Sequence, residues 1–285
     1  MDTLESYRNE IDKIDVELTK LFEKRMDVAL KVAQYKKSNN IQLLHNKREK
    51  EVIEKSLITL QKKQNYIAVV KFLDNIMEIS KDLQKKELQY NLKHKNVTNL
   101  TSKNTIIGFS GSKGSFTEEA AFKFFGDCTK KTYKGFEKVF IAVQNKEINY
   151  GIIPMENSTA GIIQETYDCL QKYKVAIIGY ECMKIEHHLM GIKGSDINEL
   201  TEVYSHDQAL RQCSNYFKNY PNCKLIQYHD TAASGKLISN LNDIKKAAIC
   251  NKSVAKLYNL QILKDNIHNK EINYTKFVII TNVAI

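Results

Sequence analysis

Apolar positions follow two regimes along this chain. From Leu4 to Tyr35 they keep a seven-residue repeat, Leu4, Tyr7, Ile11, Ile14, Leu18 and Leu21, then Val28, Val32 and Tyr35, which predicts one long helix. Ser38-Asn39-Asn40 interrupts it. A second helical pattern runs from about Asn46 to Gln61, and a third from about Tyr66 to Leu88 with Val69, Val70, Leu73, Ile76, Met77, Ile79 and Leu83. No Gly or Pro occurs before Gly108. Two shorter helices cannot cover the whole apolar seam of so long a first helix. The pattern therefore predicts that the uncovered part packs on a second copy, giving a homodimer.

Between about Asn91 and Asn104 the sequence turns polar, as a linker does. The expected organisation is a helical domain over residues 1–90, a linker over 91–104 and a second domain over 105–285. In that last part short apolar runs alternate with helical stretches. Strands are expected at Thr105–Phe109, Tyr150–Ile153, Val175–Ile178, Glu202–Tyr204, Lys224–Ile226, Ala247–Ile249 and Phe277–Ile280. Helices are expected to begin near Thr117, Gly161, Gln208, Thr231 and Asn251. The fold class is thus multidomain, an all-α bundle of three helices followed by an α/β layer domain.

Composition changes this picture little. A hydrophobic share of 42% and a charged share of 27% are those of a globular chain. The net charge of +10 suits nucleic acid, an acidic membrane surface or small anionic substrates, and a Lys-rich compositional bias accounts for it equally well. No recognition motif with interleaved aromatics supports nucleic acid, and no apolar run approaches the roughly 20 residues of a membrane span. The six cysteines form no CxxC pair and have no His at zinc spacing, so no metal is expected. Free thiols and a start without a basic-then-apolar leader point to the cytoplasm.

Candidate chemistry begins with Arg25, which occupies the next core position of the first repeat. A guanidinium there either snorkels out or meets an anion inside the bundle. Arg8 and Lys36 flank the same seam, roughly 40 Å apart along one helix at about 1.5 Å per residue, so they cannot share a ligand within one chain. In an antiparallel dimer, Arg8 of one subunit can approach Arg25 and Lys36 of the other.

Over about Leu4 to Gln84 these residues resemble the all-helical chorismate mutases. Arg8, Arg25, Lys36, Arg48-Glu49, Ser80 and Gln84 match that family's site in spacing, and Ser80 and Gln84 share one helical face. The resemblance implies a rearrangement of chorismate to prephenate that needs neither nucleophile nor cofactor. Arg8, Arg25 and Arg48 would hold carboxylates, Lys36 and Gln84 would donate to the ether oxygen and the enolpyruvyl side, and Glu49 would accept from the ring hydroxyl. His45 departs from the family, which usually has Asp there, and weakened catalysis is expected.

The α/β part carries four polar loops just after predicted strands, where open α/β sheets bind ligands. They are Gly108 to Thr117, Pro154 to Gly161, Ser205 to Cys213 and Asn273 to Phe277. Each alone reads as helix-capping chemistry, with Thr117 starting one helix and Ser205 capping another. The glycine loop lacks GxGxxG and a GK[ST] ending, so no nucleotide cofactor is expected.

Together, Glu156-Asn157-Ser158, Ser205-His206 and Thr275-Lys276-Phe277 resemble prephenate dehydratase from about Thr105 to Ile280. Gly179-Tyr180-Glu181 and His229-Asp230-Thr231-Ala232 match as well. The resemblance implies two lobes around a cleft, as in type 2 periplasmic binding proteins, with the last strand returning to the first lobe. It implies decarboxylation and dehydration of prephenate to phenylpyruvate, completing a bifunctional enzyme of phenylalanine biosynthesis without cofactors. Thr275 would donate to the leaving hydroxyl, Asn157, Ser158, Ser205, Gln212 and Lys276 would position substrate, and Glu156 would order the site. Lys276 stands where the family usually has Arg, which costs the bidentate fork and predicts looser binding. His187 and His188 are read as structural. Relatives usually continue into a regulatory ACT domain, so a chain stopping at Ile285 is expected to escape phenylalanine control. A non-catalytic solute-binding protein stays as the competing reading, and arogenate as an alternative substrate.

Overall fold

The structure, a computed structural model, describes residues 3–39, 41, 46–90, 95, 100, 102 and 104–283. The chain divides into two compact units, Met1–Leu92 and Lys93–Ile285.

The first unit contains three helices, α1 (Leu4–Ser38), α2 (Asn46–Ile58) and α3 (Tyr66–Tyr90). A capping box starts α1: the Thr3 side chain accepts from Ser6 N, and Ser6 Oγ accepts from Thr3 N. Both α1 and α2 pack on α3. The interior is small: Met26 and Ala33 of α1 and Met77 and Ser80 of α3 are its buried members among the described residues, and Ser80 Oγ lies 3.6 Å from Met26 Sδ. Leu4, Tyr7, Ile11, Ile14, Leu18 and Leu21 remain 44% to 67% exposed, so most of the α1 seam is left uncovered by its own chain. No helix among the described residues is long and apolar enough to cross a membrane.

The second unit is built from two sheets. Its first lobe runs β1 (Ile106–Ser110), α4 (Phe116–Phe125), β2 (Thr129–Tyr133), α5 (Phe136–Gln144), β3 (Tyr150–Asn157), β4 (Gly161–Ile162), α6 (Gln164–Lys172) and β5 (Val175–Lys184). The chain then crosses to β6 (His188–Gly191), β7 (Glu202–Ser205), α7 (Asp207–Gln212), α8 (Ser214–Phe217), β8 (Lys224–Gln227), α9 (Thr231–Leu241), β9 (Lys246–Cys250), α10 (Lys252–Tyr258) and β10 (Gln261–Lys264). It returns as β11 (Tyr274–Asn282). The first sheet has the order β2-β1-β3-β11-β5, with β4 hydrogen-bonded to β3, and the second β10-β6-β9-β7-β8. Thus β11 lies between β3 and β5, antiparallel to both, and sets Thr275 opposite Asn157.

Ile107, Phe109, Ile152, Phe277 and Ile279 form the core of the first lobe, and Leu189, Val203, Ala247 and Ile249 that of the second. Several elements differ from the expected pattern for identifiable reasons. Thr129–Tyr133 is an edge strand with a mostly polar face, and so carries no apolar alternation to read. Gly161 and Ile162 pair with β3, which delays the following helix to Gln164. The cap of α7 is His206, whose Nδ1 accepts from Gln208 N at 3.3 Å, not Ser205; the cap of α4 is Ser115, not Thr117.

The glycine loop bridges the two lobes. Ser112 Oγ donates to Asp230 Oδ2 at 2.7 Å, and Asn251 Nδ2 donates to the Gly114 carbonyl at 3.0 Å. Gly114 has φ +87°, a conformation that favours glycine, and a Cβ there would stand a tight 3.2 Å from Val254 Cγ2.

Candidate active sites

In the helical unit, residues of all three helices enclose a cavity of about 370 Å³. Arg25, Lys36, Arg48, Glu49, Ser80 and Gln84 all line it, with Lys81 beside them. Arg25 is half-buried because α1 turns this face onto α3; it donates to Ser80 Oγ and, at 3.5 Å, to the Ile76 carbonyl. Burial pushes the Arg25 guanidinium below its ordinary pKa, yet from so high a value that it stays charged. Ser80 passes its own hydrogen to the Ile76 carbonyl at 2.8 Å. Gln84 Nε2 donates to the Ala29 carbonyl at 2.7 Å, which leaves its second N–H for a ligand.

The wall is cationic. Arg25, Lys36, Arg48 and Lys81 face one carboxylate, Glu49, which Lys81 meets at 3.5 Å. Arg48 also reaches Glu51 at 3.2 Å. Arg8 lies exposed on α1, outside this cavity. His45 falls outside the described residues. Lys81, which also pairs with Glu78 at 2.5 Å, is absent from the sequence expectations, although its place next to Ser80 is legible.

In the α/β unit a cleft of about 490 Å³ lies between the lobes. Thr275, Asn157, Ser115 and Thr117 reach it from the first lobe; Gln212, His206 and Asp230 reach it from the second. Thr275 and Asn157 meet across the β11–β3 pairing, with Asn157 Nδ2 2.9 Å from Thr275 Oγ1. His206, Gln208 and Gln212 also line an adjoining cavity of about 470 Å³, whose wall includes Arg211, His268 and Lys270.

Of the residues expected here, Asn157, Gln212 and Thr275 converge on the cleft, and four others do not line it. Strand alternation explains two of them. Lys276, next to Thr275, has its Nζ 4.3 Å from the centre of the Tyr180 ring, and Glu156, next to Asn157, receives the Tyr167 hydroxyl. Ser158 Oγ accepts from Tyr274 N at 2.9 Å, which ties the two strand ends together. Ser205 is fully buried and donates to the Ile249 carbonyl at 2.7 Å, a bond inside the second sheet.

His187, read as structural, is on the cleft wall at 3% exposure. Its Nε2 lies 2.9 Å from Gln212 Oε1, and its Nδ1 has no partner. Burial lowers its pKa to about 4, against a smaller upward pull from the Gln212 hydrogen bond and with small further lowering by His268 and His188, so the ring is neutral near pH 7. His188 turns the other way, with Nδ1 3.0 Å from Asp265.

The two units each match a known family. The family model for chorismate mutase type II matches residues 7–85, and that for prephenate dehydratase matches residues 107–284. A bifunctional chorismate mutase/prephenate dehydratase of Buchnera aphidicola subsp. Acyrthosiphon pisum is 35% identical over 280 residues, covering 96% of this chain and 71% of the relative. The protein of that name from Escherichia coli K12 is 29% identical over 284 residues, covering 98% and 72%. The crystal structure of a prephenate dehydratase from Arthrobacter aurescens, in complex with L-Phe, shares the fold with a TM-score of 0.58 at 24% identity. That likeness covers 62% of this chain and 60% of that one. The chain therefore belongs to the bifunctional chorismate mutase/prephenate dehydratase family, enzymes of phenylalanine biosynthesis that carry an isomerase and a lyase activity on one polypeptide.

Proposed function

We propose that the helical cavity rearranges chorismate to prephenate and that the cleft around Thr275 turns prephenate into phenylpyruvate. One observation carries the reading: six side chains distant in sequence converge from three helices on a single cationic cavity. Chorismate is a dicarboxylate, and Arg25 and Arg48 have the planar forks that suit its carboxylates. Lys36 and Gln84 donate to the ether oxygen and the enolpyruvyl side, and Glu49 accepts from the ring hydroxyl. The reaction is intramolecular, so orientation and stabilisation of separating charge supply the rate, and no cofactor is invoked.

Arg8 completes this site from a second subunit. Support comes from the exposed seam, since Leu4, Ile11, Ile14, Leu18 and Leu21 of α1 stay 44% to 67% exposed. The assembly is read as a homodimer through residues 1–90, with 91–104 as linker and 105–285 as the dehydratase domain. Six unpaired cysteines support a cytoplasmic setting.

In the cleft, carbon dioxide leaves prephenate, its bonding electrons enter the ring, and the ring hydroxyl departs as water after taking a proton. Thr275 Oγ1 donates that proton, with Asn157 and Gln212 beside it. Thr is a weak acid, so orientation and the aromatic product carry most of the rate. Glu156, Ser158, Ser205 and Lys276 act through the strands and loop that hold these groups. Arg211 and Lys270, at the adjoining cavity, supply cations for a dianion.

The test gives purified protein chorismate and follows prephenate and phenylpyruvate in the wild type, Arg25→Ala and Thr275→Ala. Arg25→Ala should abolish only the first conversion and Thr275→Ala only the second, assayed with each substrate supplied directly. Unchanged rates in either variant would overturn that half.

A further inference from the structure

Four side chains behind the cleft form a closed hydrogen-bond ring whose direction can be worked out from the backbone. Asn157 Oδ1 receives two main-chain donors, Thr159 N at 3.0 Å and Ala160 N at 2.9 Å. An atom that accepts from two N–H groups is the amide oxygen, so the other must be nitrogen. Asn157 Nδ2 is therefore the donor towards Thr275 Oγ1 at 2.9 Å and Asn273 Oδ1 at 2.9 Å, with the Tyr274 carbonyl at 3.1 Å sharing one of its two hydrogens.

The direction then propagates. Asn273 accepts through Oδ1, so its Nδ2 donates to Gln212 Oε1 at 3.2 Å. Gln212 Nε2 in turn donates to Thr159 Oγ1 at 2.7 Å. The Thr159 hydroxyl spends its single hydrogen on Asn157 Oδ1 at 2.6 Å, which closes the ring. Gln212 Oε1 needs a donor from His187 Nε2, which fixes that tautomer and leaves Nδ1 bare, as its lack of a partner requires.

We propose that Thr159, Asn273 and His187 are positioning residues of the dehydratase, locking the Asn157 amide so that it donates to Thr275 Oγ1 and leaves the Thr275 hydroxyl hydrogen free for the departing hydroxyl of the substrate. This rests on the reading of Thr275 as the proton donor. Were the Asn157 amide reversed, its oxygen would accept the Thr275 hydrogen and take it out of the cleft. Asn157 is 7% exposed and Asn273 2% exposed, so the side of the ring next to Thr275 is shielded from bulk water. The ring also spans the lobes, because Gln212 ends α7 and Thr159 follows β3.

Thr159 is the position to test, since it lies partly exposed on a turn where Val keeps the shape and removes the hydroxyl. In the full chain, Thr159→Val should lower the dehydratase kcat by about tenfold, the worth of one aligned hydrogen bond, with KM changed by less than about threefold. Thr159→Ser should recover most of the rate. In a Thr275→Val background, adding Thr159→Val should change the residual rate by less than about twofold, because the ring acts through Thr275. A normal kcat in Thr159→Val beside a crippled Thr275→Val overturns the ring alone, as does a full further loss in the double variant. Full activity in Thr275→Val overturns the reading of the site, and the ring's role with it.

Discussion

Arg25 of α1 donates directly to Ser80 of α3, and the two are separated by 55 positions in the chain. The contact fixes one edge of the guanidinium and leaves its other donors turned to a cavity that Lys36 and Arg48 share. Such a half-buried cation without an anion is held at a cost in desolvation, which a bound dicarboxylate offsets. Arg25→Ala should lower the chorismate mutase kcat/KM by about a hundredfold or more, and Arg25→Lys should recover only part of it because the fork is lost. Ser80→Ala should cost less, about tenfold, since it misaims the guanidinium without removing it. Steady-state rates on chorismate with the dehydratase reaction as internal control check the order; equal losses in all three would contradict it.

Lys276 was expected on the substrate and instead stands over Tyr180, on the face of β11 turned away from Thr275. Arg211 and Lys270 stand on the wall of the cavity adjoining the cleft, and Arg211 is already shared with Asp207 one helical turn away. Lys270→Ala should therefore raise the KM for prephenate by about threefold to tenfold, the range of a solvent-screened charge pair, with kcat nearly unchanged. Lys276→Arg should leave that KM within about twofold, because its head group lies on the far face. Initial-rate measurements on prephenate separate the two; a KM that follows Lys276 and ignores Lys270 would mean the substrate binds elsewhere.

This pair of residues also marks where sequence reading stopped. The motifs Thr275-Lys276-Phe277 and Glu156-Asn157-Ser158, marked by the resemblance to prephenate dehydratase, lie at two paired strand ends that each send a side chain into the cleft. Which member of each triplet enters the cleft depends on the phase of the pleat, and a bulge between Lys276 and Phe277 shifts that phase locally. Ser205 shows the same limit, since a Ser after a strand looks alike whether it faces ligand or a neighbouring carbonyl. His187 was hidden for the opposite reason: it sits in a crossover before β6, a strand of only four residues, where no periodicity announces a wall of the cleft. In the helical unit the repeat itself marks Arg25 as misplaced, whereas Arg48, Glu49, Ser80 and Gln84 come into view only through the resemblance to chorismate mutases; with Lys36 they line one cavity.

His187 makes the stability of the α/β unit depend on acid. Its pKa falls from 6.5 to about 4 on folding, chiefly through burial, so between those values the unfolded chain binds a proton that the folded chain refuses. The lowered value means the contribution is fully present above pH 6.5 and is lost as the pH falls towards 4. His188, also lowered by burial, acts in the same direction. His187→Gln keeps an N–H for Gln212 and cannot titrate. Between about pH 7.5 and about pH 5 the wild type should lose on the order of 2 kcal/mol relative to this variant. Chemical unfolding of both proteins at the two pH values reads this directly, and parallel losses would show that His187 is not the titrating group.

Arg8 and Arg25 lie on one helix yet are assigned to different copies of the active site, which leads to a test by mixing. The 17 residue steps from Arg8 to Arg25 put them about 25 Å apart along α1 at about 1.5 Å per residue, too far to grip one small dicarboxylate. If Arg8 comes from the partner, Arg8→Ala and Arg25→Ala should each be nearly inactive as chorismate mutases. Unfolding and refolding them together forms mixed dimers in which one site carries both lesions and the other carries neither. With random pairing half the dimers are mixed and half their sites are whole, so the mixture should recover about one quarter of the wild-type mutase rate. Recovery should fall on dilution below the dimer dissociation range, because the exposed Leu4 to Leu21 seam that would join the subunits is then uncovered. A mixture no more active than its separate components, at concentrations where sedimentation shows dimers, would mean that each chain builds its mutase site alone.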